Sequence, residues 1–442
     1  MIRKAVYTIA ASEVLFYGWC KWKIREYESN IKPFNETDQP FSAETRERLV
    51  EKLFAREFGV SPERGKKWLE GWFFGSKLEN RNRTEIQTFL AWAYFNKTLE
   101  GLSQEEKNEV VRDEERIERM GKFRFKENHD GVSTQILRPN MDTFQDRTLH
   151  KPLIFYFLSE FVLQSLLVPI CMSKLGFQKR YAEHEGRTMR YWYRESSSSS
   201  SSSKTPIVFF HGVGVGVLPY VSLFKEILSS EDRIFLAPEF PCVSLTIPVD
   251  VGMSMKQTSS ILMNMIRNHD IDRVTLIGHS FGVWPLTWLL RHHSKHDLNV
   301  DKSIYIDPVN VGVHRAYLCR RFLYDPVHAT LSNTRSIYKF ILTQVLNRDA
   351  RIVSAFMRNV FWYDSFVLEE LENIECKNIT FFFSENDSYM DSNLDYLDVK
   401  QYSYDILSSD DNRIIDAKMW RGMIHGEFLI HENLRKELIS SI

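Results

Sequence analysis

The chain has 442 residues, of which 43% are hydrophobic and 26% charged, enough apolar material for a large core and close to the average of soluble globular proteins. Its 57 Lys and Arg against 58 Asp and Glu leave a formal charge of −1, so no overall field points to nucleic acid or to a strongly charged partner. Five scattered cysteines show neither metal-ligand spacing nor the density of a disulfide scaffold. They predict reduced thiols in an intracellular protein, although sequons at Asn35, Asn82 and Asn96 leave a lumenal location open.

The chain begins with a basic tetrapeptide and an apolar-leaning run over 5–20 that Glu13 interrupts. A basic start followed by such a run resembles an anchor, but a carboxylate at a bilayer centre is costly. Residues 1–150 otherwise read as a helical accessory region. Over 44–58, Leu49, Val50, Leu53, Phe54 and Phe58 recur at helical spacing, and Ser61-Pro62-Glu63 is a helix start signal. An aromatic-rich helix over 82–99 and a charged one over 103–120 follow. The apolar stretch 151–178 contains about 20 residues, 153–172, that could span a bilayer by length. Glu160 and Gln164 are four apart, however, and share one helical face, so peripheral contact through 5–20 or 153–172 is expected in preference to spanning.

Residues 179–442 are expected to form one α/β domain. Two strand-like pieces, 179–184 and 188–194, flank Glu185-Gly186-Arg187 as a hairpin. Eight serines at 196–203 form a low-complexity run read as a flexible loop. Short runs rich in β-branched and aromatic residues then appear at 206–210, 233–237, 273–277, 302–306 and 378–383, with helical stretches at 218–228, 254–268 and 282–292. Such alternation predicts a mostly parallel sheet with helices on both faces, whose ligands lie at the strands' carboxyl ends.

Chemistry concentrates at those ends. The run Val274-Thr275-Leu276-Ile277 leads into Gly278-His279-Ser280-Phe281-Gly282 and then a helix, the strand–turn–helix setting that gives G-x-S-x-G its meaning as a nucleophile elbow. Gly278 and Gly282 make room for the tight turn that exposes the Ser280 hydroxyl. Upstream, His211-Gly212-Val213-Gly214-Val215-Gly216 ends a strand, and its backbone suits an oxyanion hole built from the amides of Val213 and Phe281. The same loop lacks the lysine of a phosphate-binding loop, and His211 is expected to brace it. An acid and then a histidine should follow the serine in the chain. Asp387, after the run ending at Phe383, and His425, in His425-Gly426, fill those places, with Asp307 as a second candidate acid.

From Gly212 to the C-terminus, about 60% of the chain, these motifs resemble the α/β-hydrolase family in its esterase- and lipase-like serine-hydrolase branch. Together HGVGVG, APEFP, GHSFG and IDPV are similar to eukaryotic hydrolases with a helical N-terminal extension. The resemblance implies an ester- or lipid-directed hydrolase in which Ser280 attacks, His425 shuttles the proton and Asp387 orients it, with no metal or organic cofactor. An apolar, arginine-bearing insertion over 310–377 is expected to form a lid over an acyl pocket. A thioesterase or an acyltransferase would use the same triad, although the H-x4-D pattern of acyl transfer is missing at His425, where Ile430 stands. A non-catalytic scaffold would keep the fold alone. The expected partner is a small-molecule or lipid ester, in the cytoplasm or at a membrane surface.

Overall fold

The computed structural model describes residues 2–37, 40–127, 135–144, 151–197, 204–247, 252–293, 298–324, 335, 341–346, 348–365, 367–368, 371, 374, 376–408 and 412–442. Six of the eight serines, 198–203, and 22 of the 68 residues of 310–377 lie outside them. Ser196 and Ser197 are described, and both donate to the Asp232 carboxylate.

One eight-stranded sheet organises the second half of the chain. Its strands are β1 (Gln178–His184), β2 (Arg187–Arg194), β3 (Ile207–Phe210), β4 (Phe235–Pro238), β5 (Arg273–His279), β6 (Asn299–Ile306), β7 (Cys376–Ser384) and β8 (Ile414–Trp420). They lie in the order β1-β2-β4-β3-β5-β6-β7-β8. The β1–β2 hairpin joins antiparallel, and every pairing from β4 to β8 is parallel. This is the α/β-hydrolase arrangement, and the expected parallel sheet is present.

The alternation of side chains along each strand assigns the two faces. Ile207 and Phe209 of β3, with Phe235, Ile277 and Ile304, form one core with Val168, Phe224 and Leu438. Val208 and Phe210 point the other way and join Leu276, Tyr305 and Phe381 in a core with Ile261, Leu289 and Val399. Strands apolar on both faces read as unbroken hydrophobic runs, which is why the central ones stand out in the sequence. At the edge, β8 was not anticipated. Its buried residues, Ile415, Ala417 and Trp420, are interleaved with Asp416 and Lys418, a half-buried pattern unlike the continuous runs of the centre.

Among the described residues before 150, helices predominate. Helices α1 (Ile2–Ser29), α2 (Ala43–Phe58), α3 (Pro62–Trp72), α4 (Arg83–Phe95) and α5 (Gln104–Gly121) precede α6 (Leu153–Lys174), a continuous helix whose middle, Leu158–Leu167, is wound more widely. Capping boxes at Asn82–Glu85 and Ser103–Glu106 satisfy the orphan amides that open α4 and α5. These helices pack on the insertion that follows β6. The Trp68 and Trp72 indoles both donate to the His314 carbonyl, and the Trp362 indole donates to that of Ala93. Beneath them Glu57, 1% exposed, accepts hydrogen bonds from Arg64, His314 and Arg315, and Arg315 also meets Asp395 and Asp398.

Candidate active site

The register of the parallel strands gathers the candidate residues along one edge. Phe210 pairs with Gly278, His279 with Ile306, and Ile306 with Phe382, so the loops after β3, β5, β6 and β7 emerge together. Ser280 turns sharply out of β5 with φ of 54°, a left-handed conformation that costs a non-glycine residue about 1–3 kcal/mol and is held only by its surroundings. The flanking glycines are obligatory. A Cβ on Gly278 would stand 2.8 Å from the Gly282 carbonyl oxygen, and one on Gly282 would stand 2.1 Å from that of Phe210.

Ser280 Oγ lies 2.8 Å from His425 Nε2, and His425 Nδ1 lies 2.6 Å from Asp387 Oδ2. A buried carboxylate accepts from Nδ1–H, which leaves Nε2 as the acceptor for the serine hydroxyl. The other oxygen of Asp387 accepts the Tyr389 amide at 2.6 Å. Burial works against the imidazolium, but the Asp387 charge and hydrogen bond, helped by Asp307, raise His425 above the ordinary histidine value. Burial likewise pushes the Asp387 carboxyl up, with His425 opposing.

Asp307, the second candidate acid, sits elsewhere in the network. Its fully buried carboxylate accepts the Ser384 amide at 3.0 Å and the Gly426 amide at 2.7 Å. It therefore ties the end of β7 to the turn that carries His425. His279 Nε2 faces it at 3.7 Å, and Tyr220 fixes that tautomer. The Tyr220 hydroxyl oxygen accepts the Gly212 amide at 2.8 Å, so its hydrogen goes to His279 Nδ1 at 2.7 Å. Asp307, Asp387 and His425 are near enough together for a metal ion, with candidate ligand atoms within 4.8 Å. Both ring nitrogens of His425 are engaged by Asp387 and Ser280, a donor set that suits proton transfer better than coordination.

The loop after β3 faces the serine. The Gly212 amide goes to Tyr220 and the Gly214 amide to the Val243 carbonyl at 2.9 Å. Between them, the Val213 amide has no partner among the described residues. Phe281 is the second residue of the turn Ser280–Gly282, where the first amides of a helix have no internal acceptor. His211 braces the loop as expected, donating from Nδ1 to the Gly212 carbonyl and accepting the Phe240 amide at Nε2. His425 lies in the turn before Glu427–Ile430, and His431 is the residue that precedes the final helix, Glu432–Ile439.

A cavity of about 170 Å³ opens above Ser280 and His425. Val213, Val215 and Pro219 wall one side, and Leu318, Phe322 and Phe356 close it from the insertion. Tyr220, Tyr389 and Leu318 were not anticipated from sequence. Tyrosines two to eight residues from a motif carry no local signal, because their partners come from other loops.

No family model matches the chain, and no curated protein matches it. Solved structures similar to it include one from work on the carboxylesterases of the thaumarchaeon Nitrososphaera gargenis, 14% identical, covering 59% of this chain and 96% of that one with a TM-score of 0.40. Carboxylesterase CesB of Bacillus subtilis is 13% identical over 64% of this chain and 97% of its own, with a TM-score of 0.40. A membrane phospholipase A, called a bacterial virulence factor, is 14% identical over 65% and 92%, with a TM-score of 0.41. Likenesses at these values say nothing about substrate. The α/β-hydrolase fold of this chain stands on its own strand order and register.

Proposed function

We propose that this protein is a serine hydrolase that cleaves a carboxylic ester of an apolar acyl group through an acyl-enzyme on Ser280. Ser280 Oγ attacks the carbonyl carbon while His425 Nε2 takes its proton, and Asp387 steadies the imidazolium. The oxyanion forms toward the amides of Val213 and Phe281. Collapse breaks the bond to the alcohol, which leaves with the proton from His425. Water, deprotonated by the same nitrogen, then attacks the acyl-enzyme and releases the acid. Asp307 is a positioning residue for the two loops. The insertion 310–377 acts as the roof of the acyl pocket, and the helical region 1–150 is an accessory unit that seats it.

What most supports this is the 2.8 Å and 2.6 Å relay at the floor of an apolar cavity. Three loops, with His425 38 positions beyond Asp387 and 145 beyond Ser280, converge on one proton path at a strained elbow. The test is labelling of the full chain by a fluorophosphonate, then turnover of p-nitrophenyl esters of increasing chain length. Ser280→Ala should melt like the parent and lose all labelling. Full labelling of that variant would place the nucleophile elsewhere.

A further inference from the structure

Among the described residues, thirteen of the twenty-three exposed large apolar side chains stand on α1 and α6. Single exposed apolar residues are ordinary, but concentration on two touching helices is not. The two cross where the Phe16 and Tyr156 rings lie 5.6 Å apart and the Glu13 carboxylate accepts the Leu153 amide at 3.0 Å. Glu13, the residue that spoke against a membrane segment, thus caps the helix beside it.

On α6 one polar row points inward, with Glu160 half-buried beside it, while Ser165, Ser173 and Lys174 are exposed. Tyr156 donates to Asp349 at 2.6 Å, Gln164 donates to the Ser244 carbonyl at 3.3 Å, and Ser159 is buried with them. Phe157, Phe161 and Leu166 face out, each about half exposed. A surface helix of a water-soluble protein usually turns its apolar side inward, whereas this one leaves much of its apolar side in the open. On α1, Phe16, Cys20 and Tyr27 are buried, while Val14, Leu15 and Trp22 are exposed. Exposed cations lie on the same two helices: Arg3 and Lys4 near one end of α1, Lys21 and Arg25 toward the other, and Lys174 at the end of α6, against one exposed acid, Glu26, which pairs with Lys23. Lys23 lies over the Trp22 ring at 4.7 Å. An apolar face with aromatic rings and a basic margin is complementary to headgroups above acyl chains. A second copy of this chain would set those cations against each other.

We propose that α1 and α6 form a face that lies flat on an anionic lipid bilayer, and that the Ser280 cavity draws its ester from that bilayer. The second half rests on the hydrolase assignment above. By length and composition α6 could cross a membrane, but its inner row is fastened to Ser244 and Asp349, and crossing would strand those groups. The route to the cavity is one loop thick. Gln164 backs Gly216, where an added Cβ would stand 3.1 Å from its Oε1, and Val213, Val215 and Pro219 of the same segment wall the cavity.

The experiment is co-sedimentation of the full chain with phosphatidylcholine vesicles containing phosphatidylglycerol, beside the triple variant Leu15→Ser, Phe161→Ser, Leu166→Ser. These side chains are exposed, so the variant should keep the parent's melting temperature. Vesicle affinity should fall at least tenfold, and hydrolysis of a long-chain ester presented in vesicles should fall with it, while turnover of a soluble short ester stays unchanged. Parent protein that remains in the supernatant, or a variant that sediments like the parent, overturns the docking face. So does a parent dimer that the variant dissociates without any vesicle binding, or resistance to carbonate extraction with protease protection of one flank of α6. Vesicle binding without hydrolysis of any ester would leave the face standing and remove the hydrolase assignment.

Discussion

Asp387→Asn is the sharpest probe of the proposed relay, because the structure dictates how the new amide must sit. An asparagine has one acceptor oxygen, and the Tyr389 N–H already demands an acceptor at 2.6 Å. Turning the carbonyl oxygen toward Tyr389 leaves the amide NH2 facing His425 Nδ1, at the position where Oδ2 now accepts at 2.6 Å. Two donors cannot meet there, so Nδ1 gives up its hydrogen and Nε2 carries it, pointing at Ser280. The histidine then donates to the hydroxyl that it should deprotonate. The loss expected for this tautomer error is about 10⁴ in kcat, or about 5 kcal/mol of barrier. Asp307→Asn removes one of two backbone acceptors and should lower stability by about 1–3 kcal/mol with a much smaller loss of turnover. The assay is p-nitrophenyl ester hydrolysis for both variants, with thermal melts to separate folding from chemistry. Asp387→Asn with more than a tenth of parental kcat, or a greater loss in Asp307→Asn, would refute the assignment.

Other outcomes follow from the charges. Turnover needs neutral His425, whose protonation is favoured above the ordinary value, so the acid limb of the kcat/KM profile should have its midpoint above about 6.5, and a midpoint below that would contradict the Asp387 contact. His211 and His314 are held neutral by burial, each at about 4. An unfolded chain takes those protons near 6.5 and the folded one only near 4, so the melting temperature should fall as pH drops through that window, and a flat curve would show that the two rings are solvated. Glu57→Gln removes a carboxylate from under Arg315 and Arg64 and should cost about 3–5 kcal/mol in denaturant melts, as breaking a buried ion cluster does.

The centre of the fold was legible because its strands are buried on both faces and read as continuous apolar runs, each ending in a turn. Ser280 was legible for a related reason: the elbow needs glycine at fixed positions, and the need is local. Asp387 and His425 could be ordered after it, yet the division of labour between Asp387 and Asp307 depends on amides from Tyr389, Ser384 and Gly426 that no spacing reveals. The strand β8 escaped because an edge strand alternates and carries Asp416 and Lys418. For the first 150 residues, periodicity gave helices and nothing about their partners. Trp68, Trp72 and Glu57 meet His314 and Arg315 some 240–260 positions away, a relation that leaves no local trace.

That distant relation has a consequence for how variation in this protein would be interpreted. Arg315 stands three residues before Leu318, which closes the cavity over Ser280, and its guanidinium is fastened to a glutamate from the second helix of the chain. A harmful change at Glu57 would surface in an assay as lost stability and poor substrate handling, with every reacting group intact. Screens that score only the neighbourhood of the serine would pass over it. A shortened version begun at β1 would carry Arg315 without Glu57 and Arg64, and inactivity of such a fragment would say nothing about the chemistry of Ser280.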